Sequence, residues 1–390
     1  MTHQNDYNLS EKLTEELTKN GLGAVPELVR VLINNAMQEE RARYLQANQY
    51  ERTEERTGYA NGYKGKTINT RVGKITFSIP QVRDSGFYPS SLEKGLRSER
   101  ALTMTLAEMY VQGVSTRKVK EITEQLCGFE ISAAQVSRAT AQLDQVLQEW
   151  RERPLGEMMY IYLDAIYEKV RDNGQIRDAA VLIATGISPS GERQVLGASI
   201  SLSEHEEHWK SFLKSLKDRG MNGVKLVISD AHAGLGAARR AVLGSVPWQR
   251  CQFHIQQNAG SYVPRQSMKA EVAADIRSMF NAPDRKTAEE SLQATITKYT
   301  TSAPRLAAWL EDSLPDSFTN FDFPLEHRRT IRTSNSLERV NKEIRRRTNV
   351  VGVFPNEASC LRLISALLME ICEEWQLGKH YCVSLLTTNC

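Results

Sequence analysis

Two apolar stretches decide the fold of this chain: MMYIYLD at residues 158–164 and VKLVISD at residues 224–230. Both are rich in branched and aromatic residues, which favour buried strands, and both end on an aspartate. Two more runs of this kind lie between them, at 179–187 and 194–200, and the turn SPSGE at 188–192 joins them. This part of the chain is therefore predicted to begin as an antiparallel meander.

Helical patterns then alternate with strands. Residues 204–217 and 231–243 have helical spacing. A strand at 224–229 lies between these two helices, and a short fifth strand at 246–250 follows the second one. The order β-β-β-α-β-α-β combines a meander with strand–helix–strand crossovers. Mainly helical patterns follow over 255–330, and another helix begins near residue 336. The predicted fold class is α/β with a large helical insertion.

The first 150 residues have a different texture. A helical pattern over 27–48 is followed by a polar, glycine-containing segment that reads as a loop, and then by a hairpin at 67–72 and 75–82 around Gly73 and Lys74. The basic residues at 64–71 could contact phosphates, although an ordinary solvated hairpin is the favoured reading. We expect this hairpin region to serve DNA binding or dimerisation.

A helix-turn-helix is predicted next. Residues 115–127 and 132–149 have helical spacing, Gly128 and Phe129 join them, and Ser132 stands where it can cap the second helix. The first turns of such a helix face the DNA major groove. The alternative is a helical hairpin that only packs. The candidate DNA contacts here are Gln135, Ser137 and Arg138, with Arg117 and Lys118 nearby.

Composition sets broad limits. The 390 residues suggest roughly two to four folding units, and 41% apolar with 25% charged residues is typical of a globular protein. The net charge of +3 is too small to indicate nucleic acid, but residues 328–347 hold eight Lys or Arg against two acids. With no leader-like segment and no long apolar run, we expect a cytoplasmic protein without a membrane partner. The six scattered cysteines predict neither disulfides nor a four-ligand zinc site.

Asp164 and Asp230 are candidate metal ligands. Each follows a predicted strand, and ligand sites gather beyond the carboxyl ends of parallel strands. Two carboxylates brought together there repel each other unless a cation lies between them. Magnesium suits this position because it prefers oxygen ligands and keeps some of its waters.

Glu338 is the best third carboxylate. It lies early in a predicted helix whose apolar face is Leu337, Val340 and Ile344, with polar and basic side chains following on its own side. The alternative is structural: Asn335 would cap the helix, and Glu338 would be the reciprocal acid of a capping box.

Four runs carry a resemblance to a known family: YLDAIYEKVR (162–171), ISDAHAGL (228–235), RCQFHIQQN (250–258) and IRTSNSLERVNKEIRRRT (331–348). They strongly resemble the bacterial Mutator-type insertion-sequence transposases, and the likeness extends over most of the chain. It implies an RNase H-like catalytic fold with a DDE triad at Asp164, Asp230 and Glu338. It also implies a helical insertion between the second and third acids. The chain is therefore expected to consist of five parts. They are residues 1–97, 98–152 (helix-turn-helix), 153–258 (first part of the catalytic core), 259–330 (insertion) and 331–390 (last part of the core).

The resemblance also covers a Cys-x-x-His signature, Cys251 and His254. It is half of a zinc site with no second half in the sequence, so we expect His254 to act on the scissile phosphate and Cys251 to support it. A neutral core histidine is the alternative. Trp309 lies in the insertion and is a candidate for stacking on a flipped base, with core packing as its alternative. Some relatives have a tryptophan where this chain has Arg328, which weakens any inherited role there.

The chemistry implied is DNA cleavage at terminal inverted repeats, followed by transfer of the 3′ ends into target DNA. Two Mg²⁺ ions, with Mn²⁺ able to substitute, would be shared by the triad. Because two ends must be paired, a homodimer is expected. Two rivals remain: an RNase H-fold nuclease without strand joining, and a catalytically inactive DNA-binding regulator. The candidate phosphate contacts near the triad are Arg332, Asn335, Arg339, Lys342, Arg345, Arg346 and Arg347.

Overall fold

The computed structural model describes residues 11, 14–48, 50–83, 86–95 and 97–378. They form two compact units, and the chain passes from the first to the second between Gln142 and Leu143. Each unit has its own apolar core. Within the described ranges no helix is both long and apolar enough to cross a membrane.

The first unit opens with a helix on a hairpin. Helix α1 (Val25–Leu45) packs on strands β1 (Ala60–Thr70) and β2 (Gly73–Val82), which pair antiparallel. The predicted hairpin is confirmed, but its turn lies at 71–72, and β1 begins seven residues earlier than expected (67 − 60). The first part of β1 is exposed, so its polar residues conceal the strand in the sequence. The shared core comprises Met37, Ile68, Ile75, Phe77, Ile79 and Leu92.

Three short helices complete this unit: α2 (Arg100–Val111), α3 (Thr116–Cys127) and α4 (Ala133–Ala141). The Ser115 hydroxyl caps α3, and the predicted cap of α4 is present as a full capping box between Ser132 and Gln135. The expectation of a single helix over 132–149 is wrong, because α4 ends at Ala141.

A new helix, α5 (Asp144–Glu152), opens the second unit. The apolar spacing runs across residues 142 and 143 without a break, which is why the sequence suggested one helix. The interruption lets Leu147 be buried in the second unit.

The second unit contains a five-stranded sheet in the order β5-β4-β3-β6-β7. Its strands are β3 (Tyr160–Asp172), β4 (Gln175–Ile187), β5 (Arg193–Ser201), β6 (Leu226–Ser229) and β7 (Trp248–Arg250). The first three form an antiparallel meander, while β6 and β7 run parallel to β3. Helices α6 (Glu206–Asp218) and α7 (Ala233–Leu243) are the crossovers. The predicted order of elements and the mixed α/β class are confirmed.

One strand is longer than predicted. We expected β3 to end before Asp164, but it continues to Asp172 and turns through Asn173 and Gly174, both with positive φ, into β4. Exposed charged residues in its second half hide this extension in the sequence. The parallel pairing with β6 nevertheless stops at Leu163 opposite Ser229. Asp164 therefore lies inside a long strand, yet next to the end of its shorter neighbour.

Helices account for most of the remaining chain, as predicted. Five of them follow β7: α8 (Gln252–Ala259), α9 (Lys269–Phe280), α10 (Arg285–Tyr299), α11 (Pro304–Ser313) and α12 (Leu325–Ile331). The first four contribute to a separate apolar cluster. Two longer helices, α13 (Asn335–Val351) and α14 (Glu357–Gln376), return to the sheet, where α13 contacts β3 and α14 contacts β5.

Candidate active site

Asp164 is held in a fixed orientation. Its Oδ1 accepts a hydrogen bond from the backbone N–H of Ala165 at 2.9 Å, and its Oδ2 accepts one from Nδ2 of Asn341 on α13 at 2.7 Å. Burial raises the pKa of the Asp164 carboxyl, and the negative charge of Asp230 acts in the same direction. The two aspartates are thus close enough to influence each other electrostatically.

Asp230 follows β6 directly and is more exposed than Asp164. Its Oδ1 accepts a hydrogen bond from the backbone N–H of Ala231 at 2.7 Å, which sets the turn toward α7. Its Oδ2 lies 3.9 Å from Nδ1 of His254. This carboxylate therefore faces the histidine that follows the next strand.

Glu338 lies in the first turn of α13, and it is not part of a capping box. The helix begins at Asn335, and the residue before it, Ser334, makes no side-chain cap. The Ser334 hydroxyl donates instead to Sγ of Cys251 at 3.2 Å. Oε1 of Glu338 is buried and has no hydrogen-bond partner among the described residues. The structural alternative for this residue is therefore wrong.

The electrostatic setting of Glu338 joins it to the other acids. Burial raises the pKa of its carboxyl, the charge of His254 opposes that rise, and the charge of Asp164 adds to it. The sequence indicated Asn341 only as a polar residue on the same side of the helix. In the structure Asn341 lies one turn beyond Glu338 and bonds to Asp164, which links the third acid's helix to β3.

The surroundings of His254 raise the pKa of its imidazole. The residue lies in the first turn of α8, which Cys251 precedes. Its imidazole lies within 4.8 Å of the Cys251 sulfur. That contact raises the pKa of His254 to about 9 against the opposing effect of burial, with smaller contributions from Asp230 and Asp164. At neutral pH the imidazole therefore carries a proton.

The pKa of the Cys251 thiol is shifted in the opposite direction to the pKa of His254. Burial acts to raise the pKa of its thiol, but contacts with His254 and hydrogen bonds from Ser334 outweigh burial and leave the pKa below its usual value. Ligand atoms of Cys251, His254 and Glu338 all lie within 4.8 Å of one another. Among the described residues, no other three Cys, His, Asp or Glu side chains bring their ligand atoms as close together.

The residues present fit a magnesium centre. Asp164, Asp230 and Glu338 offer only oxygen donors, and an orphaned buried carboxylate oxygen beside a second carboxylate is the kind of position that a hard cation stabilises. The Cys251 sulfur is not a magnesium ligand. Any metal ion of that kind would rest on the acids.

The basic residues of α13 divide into two groups. Arg339, Lys342 and Arg345 are exposed, and Asn335 at the start of the helix is exposed as well. Arg346 is exposed but bonded to Glu343 at 2.7 Å, and Arg347 is buried and also bonded to Glu343. Arg332, just before the helix, donates to Oδ1 of Asn281 at 3.0 Å.

Two side chains of the helical region have internal roles. Trp309 stacks on Tyr262 with ring centroids 4.9 Å apart and an angle of 19° between the planes. It is partly buried against the core of α8 to α11. Arg328 donates to the backbone carbonyls of Phe321, Pro283 and Phe323 at 2.9 Å each, so it anchors its own helix.

The first unit contains a basic groove that the sequence did not reveal. Its volume is about 1250 Å³, and it is lined by residues of β1, β2 and helix α4 and by residues 93–95 and 97–98. The hairpin and the helix are separate regions of the sequence, and no local pattern indicates that they meet. Five basic side chains line the groove: Lys64, Lys66, Lys94, Arg97 and Arg138.

The other helix-turn-helix candidates differ in their surroundings. Gln135 lines it, but its side chain also accepts from the backbone N–H of Ser132 at 2.8 Å. Ser137 is exposed. Lys118 is paired with Glu121 at 3.1 Å, and the exposed Arg117 lies 3.9 Å from the same acid.

Comparisons with known proteins show to which family the chain belongs. The family model described as "Transposase, Mutator family" matches residues 1–378. The chain is 57% identical over 367 residues to the transposase for insertion sequence element IS406 of Burkholderia multivorans, covering 94% of this chain and 95% of that protein. It is 44% identical to the transposase for ISRM5 of Rhizobium meliloti (91% and 89% covered). It is 39% identical to the transposase for IS256 in transposon Tn4001 of Staphylococcus aureus (89% and 90% covered). The chain thus belongs to the Mutator family of transposases.

Proposed function

We propose that this chain is a DDE transposase that cuts DNA at the terminal inverted repeats of an insertion sequence and joins the freed 3′ ends to target DNA. The observation that carries the proposal is the orphaned, buried Oε1 of Glu338 beside Asp164. A carboxylate in that position is costly unless it serves a cation. The names of the relatives, all transposases for insertion sequence elements, agree with this function.

The sheet supports an RNase H-like assignment for the second unit. Its order begins with an antiparallel meander and continues in two parallel strands, and Asp164 and Asp230 emerge side by side where β6 ends. The third acid comes from a later helix that contacts β3. This arrangement brings acids 66 and 108 residues apart (230 − 164 and 338 − 230) to one end of the parallel strands.

The residues of the candidate site have different tasks in the proposed reaction. Asp164, Asp230 and Glu338 would hold two Mg²⁺ ions, with Mn²⁺ as a substitute, and the ions would activate the attacking water or 3′-hydroxyl and stabilise the leaving 3′-oxygen. Hydrogen bonds from Asn341 and from the N–H of Ala165 hold the Asp164 carboxylate in one orientation. The protonated His254 donates a hydrogen bond to an oxygen of the scissile phosphate, which lowers the charge that the reaction builds there.

DNA is held at two places in this proposal. The exposed Arg339, Lys342 and Arg345 lie on the helix that bears Glu338, and they bind phosphates near the reaction centre. The basic groove of the first unit binds the terminal repeat, with Arg138 and Gln135 as its helix residues. Pairing of two ends by two copies of the chain follows from the joining reaction itself.

A joining assay tests this function against its rivals. Pre-cut terminal-repeat DNA is incubated with the protein, Mg²⁺ and a supercoiled target plasmid. A transposase converts the plasmid into products covalently linked to the repeat DNA. Cleavage of uncut repeats without any linked product would favour a nuclease. Binding of the repeats without cleavage in Mg²⁺ or Mn²⁺ would favour an inactive regulator.

A further inference from the structure

The starts of two helices meet at the edge of the candidate active site. Cys251 immediately precedes α8, His254 is in the first turn of α8, and Glu338 is in the first turn of α13. Their ligand atoms lie within 4.8 Å of one another, although His254 and Glu338 are 84 positions apart in sequence (338 − 254). The sequence showed only half of a metal site, and the fold supplies a third ligand that spacing could not indicate.

Two buried polar atoms in this cluster have no hydrogen-bond partner among the described residues. They are Nδ1 of His254 and Oε1 of Glu338. Buried polar atoms are nearly always satisfied, so two orphans in one cluster need an explanation. The sulfur of Cys251 is the third member, and it is also fully buried.

Two polar groups of Ser334 donate hydrogen bonds to the sulfur of Cys251. The backbone N–H of Ser334 lies 3.4 Å from Sγ, and the Ser334 hydroxyl lies 3.2 Å from it. Such donors are the usual surroundings of a metal-bound thiolate, because they spread its charge without occupying the metal-facing side. Ser334 therefore supports a ligand role for Cys251.

A thiolate, an imidazole and a carboxylate favour one chemical class of ion. Zinc and similar divalent ions take this mixture of sulfur, nitrogen and oxygen, while magnesium avoids sulfur. Bond lengths of about 2.0 to 2.3 Å to zinc put tetrahedral ligand atoms roughly 3.5 Å apart, so the side chains must close by about 1 Å. Three protein ligands leave the fourth position to water.

We propose that Cys251, His254 and Glu338 form a binding site for one Zn²⁺-class ion, and that its occupation switches off DNA cleavage. Binding displaces the proton of the His254 imidazolium and the proton of the Cys251 thiol, both of which pass to solvent, and it converts the orphaned Glu338 oxygen into a ligand. The same event takes Glu338 away from Asp164 and Asp230 and takes the proton donor away from the phosphate. The inhibitory consequence rests on the proposed function, whereas the binding itself does not.

Cobalt(II) is the probe for binding, because a cobalt–thiolate bond gives a near-ultraviolet charge-transfer band. The full-length protein is expected to show this band at one ion per chain, and Zn²⁺ should displace it. Cys251→Ser should abolish the band. Cys360→Ser, which removes another buried thiol outside the cluster, should keep it, and so should Asp164→Asn. Absence of the band in the wild type, or its survival in Cys251→Ser, would overturn the proposed site.

Glu338→Gln is the second variant, and it leaves the sulfur in place. Loss of a ligand should weaken Co²⁺ binding by about tenfold or more. Affinity equal to that of the wild type would exclude Glu338 as a ligand.

Inhibition is measured separately on Mg²⁺-dependent cleavage of repeat DNA. Low Zn²⁺ should inhibit the wild type, and Cys251→Ser should need at least about tenfold more Zn²⁺ for the same fractional inhibition of its own activity. Equal sensitivity of the two proteins would refute the switch even if the site binds metal. If the wild type never cleaves DNA, the proposed function fails, while the cobalt spectrum still decides whether the site exists.

Discussion

At the scale of single residues, the carboxylate of Glu338 has a buried oxygen without a hydrogen-bond partner among the described residues. Its position three residues after Asn335 is compatible with both a capping box and a catalytic acid, and only the family resemblance favoured the acid. The structure excludes the capping box, because Ser334 turns its hydroxyl to Cys251 and Glu338 keeps a buried oxygen without a hydrogen-bond partner among the described residues. The partner of Ser334 could not be predicted, since it lies 83 positions away.

Asn341 gives the first prediction. Its amide holds Oδ2 of Asp164 at 2.7 Å, so Asn341→Ala should leave the carboxylate free to rotate. We expect cleavage to fall by about ten- to a hundredfold, as for other outer contacts of metal ligands. Affinity for repeat DNA should not change. Equal losses in binding and cleavage would indicate a DNA contact instead of a positioning role.

The raised pKa of Glu338 gives the second prediction, on stability and pH. An acid whose pKa is raised by folding destabilises the folded state at pH values above its unfolded pKa of about 4.3, and the penalty disappears below that value. Glu338→Gln should therefore raise the Tm near pH 7.5 in the absence of metal. The gain should shrink as the pH falls toward 4. A Tm lowered by Glu338→Gln at pH 7.5 would contradict the buried-charge account.

At the scale of elements, side chains tie together parts of the site that are distant in sequence. Glu204, between β5 and α6, is largely buried and accepts hydrogen bonds from the hydroxyl of Tyr167 on β3 and from Nε1 of Trp209 on α6. It also lies 3.1 Å from Nδ1 of His232, at the start of α7. It thus fixes the turn that follows Asp230.

Replacing this carboxylate is the third prediction. Glu204→Gln keeps the shape but presents a donor where the structure needs an acceptor. We expect the free energy of unfolding to fall by about 1–3 kcal/mol, measured by urea denaturation. Glu207→Gln, at an exposed position on the neighbouring helix, is the control and should change it little. Similar effects of the two substitutions would rule out a special role for Glu204.

The basic groove of the first unit gives the fourth prediction. If Lys64, Arg97 and Arg138 contact phosphates, each alanine variant should weaken repeat binding and reduce the slope of log affinity against log salt by about 1. Arg138→Ala should in addition reduce discrimination between repeat and unrelated DNA. Lys286→Ala, an exposed lysine of α10, is the control. An unchanged salt slope in all three variants would exclude the groove as a phosphate site.

At the scale of the whole molecule, the sequence predicts the order of the strands and helices better than their lengths. The succession of strands and helices in the second unit is readable because apolar periodicity changes at each element. The second half of β3 and the first half of β1 are not readable, since both carry exposed polar residues that look like loops. The break at residues 142–143 is hidden because helical spacing continues across it.

The candidate active site is also predictable only where a local sequence pattern marks it. Asp164 and Asp230 could be proposed from local sequence, because each directly follows an apolar run of residues. The cluster of Cys251, His254 and Glu338, and the groove of the first unit, arise from contacts between distant segments. No local pattern encodes such contacts, so only the folded chain reveals them.

The central claim is that three carboxylates carry the chemistry, and the rate of Mg²⁺-dependent cleavage of repeat DNA tests it most directly. Asp164→Asn, Asp230→Asn and Glu338→Gln preserve shape and remove charge, and each should reduce the rate by at least about a thousandfold while repeat binding persists. Asp178→Asn, which removes an exposed carboxylate paired with Lys169 on the same sheet, should cleave at the wild-type rate. Wild-type cleavage by any one of the three variants would contradict the account.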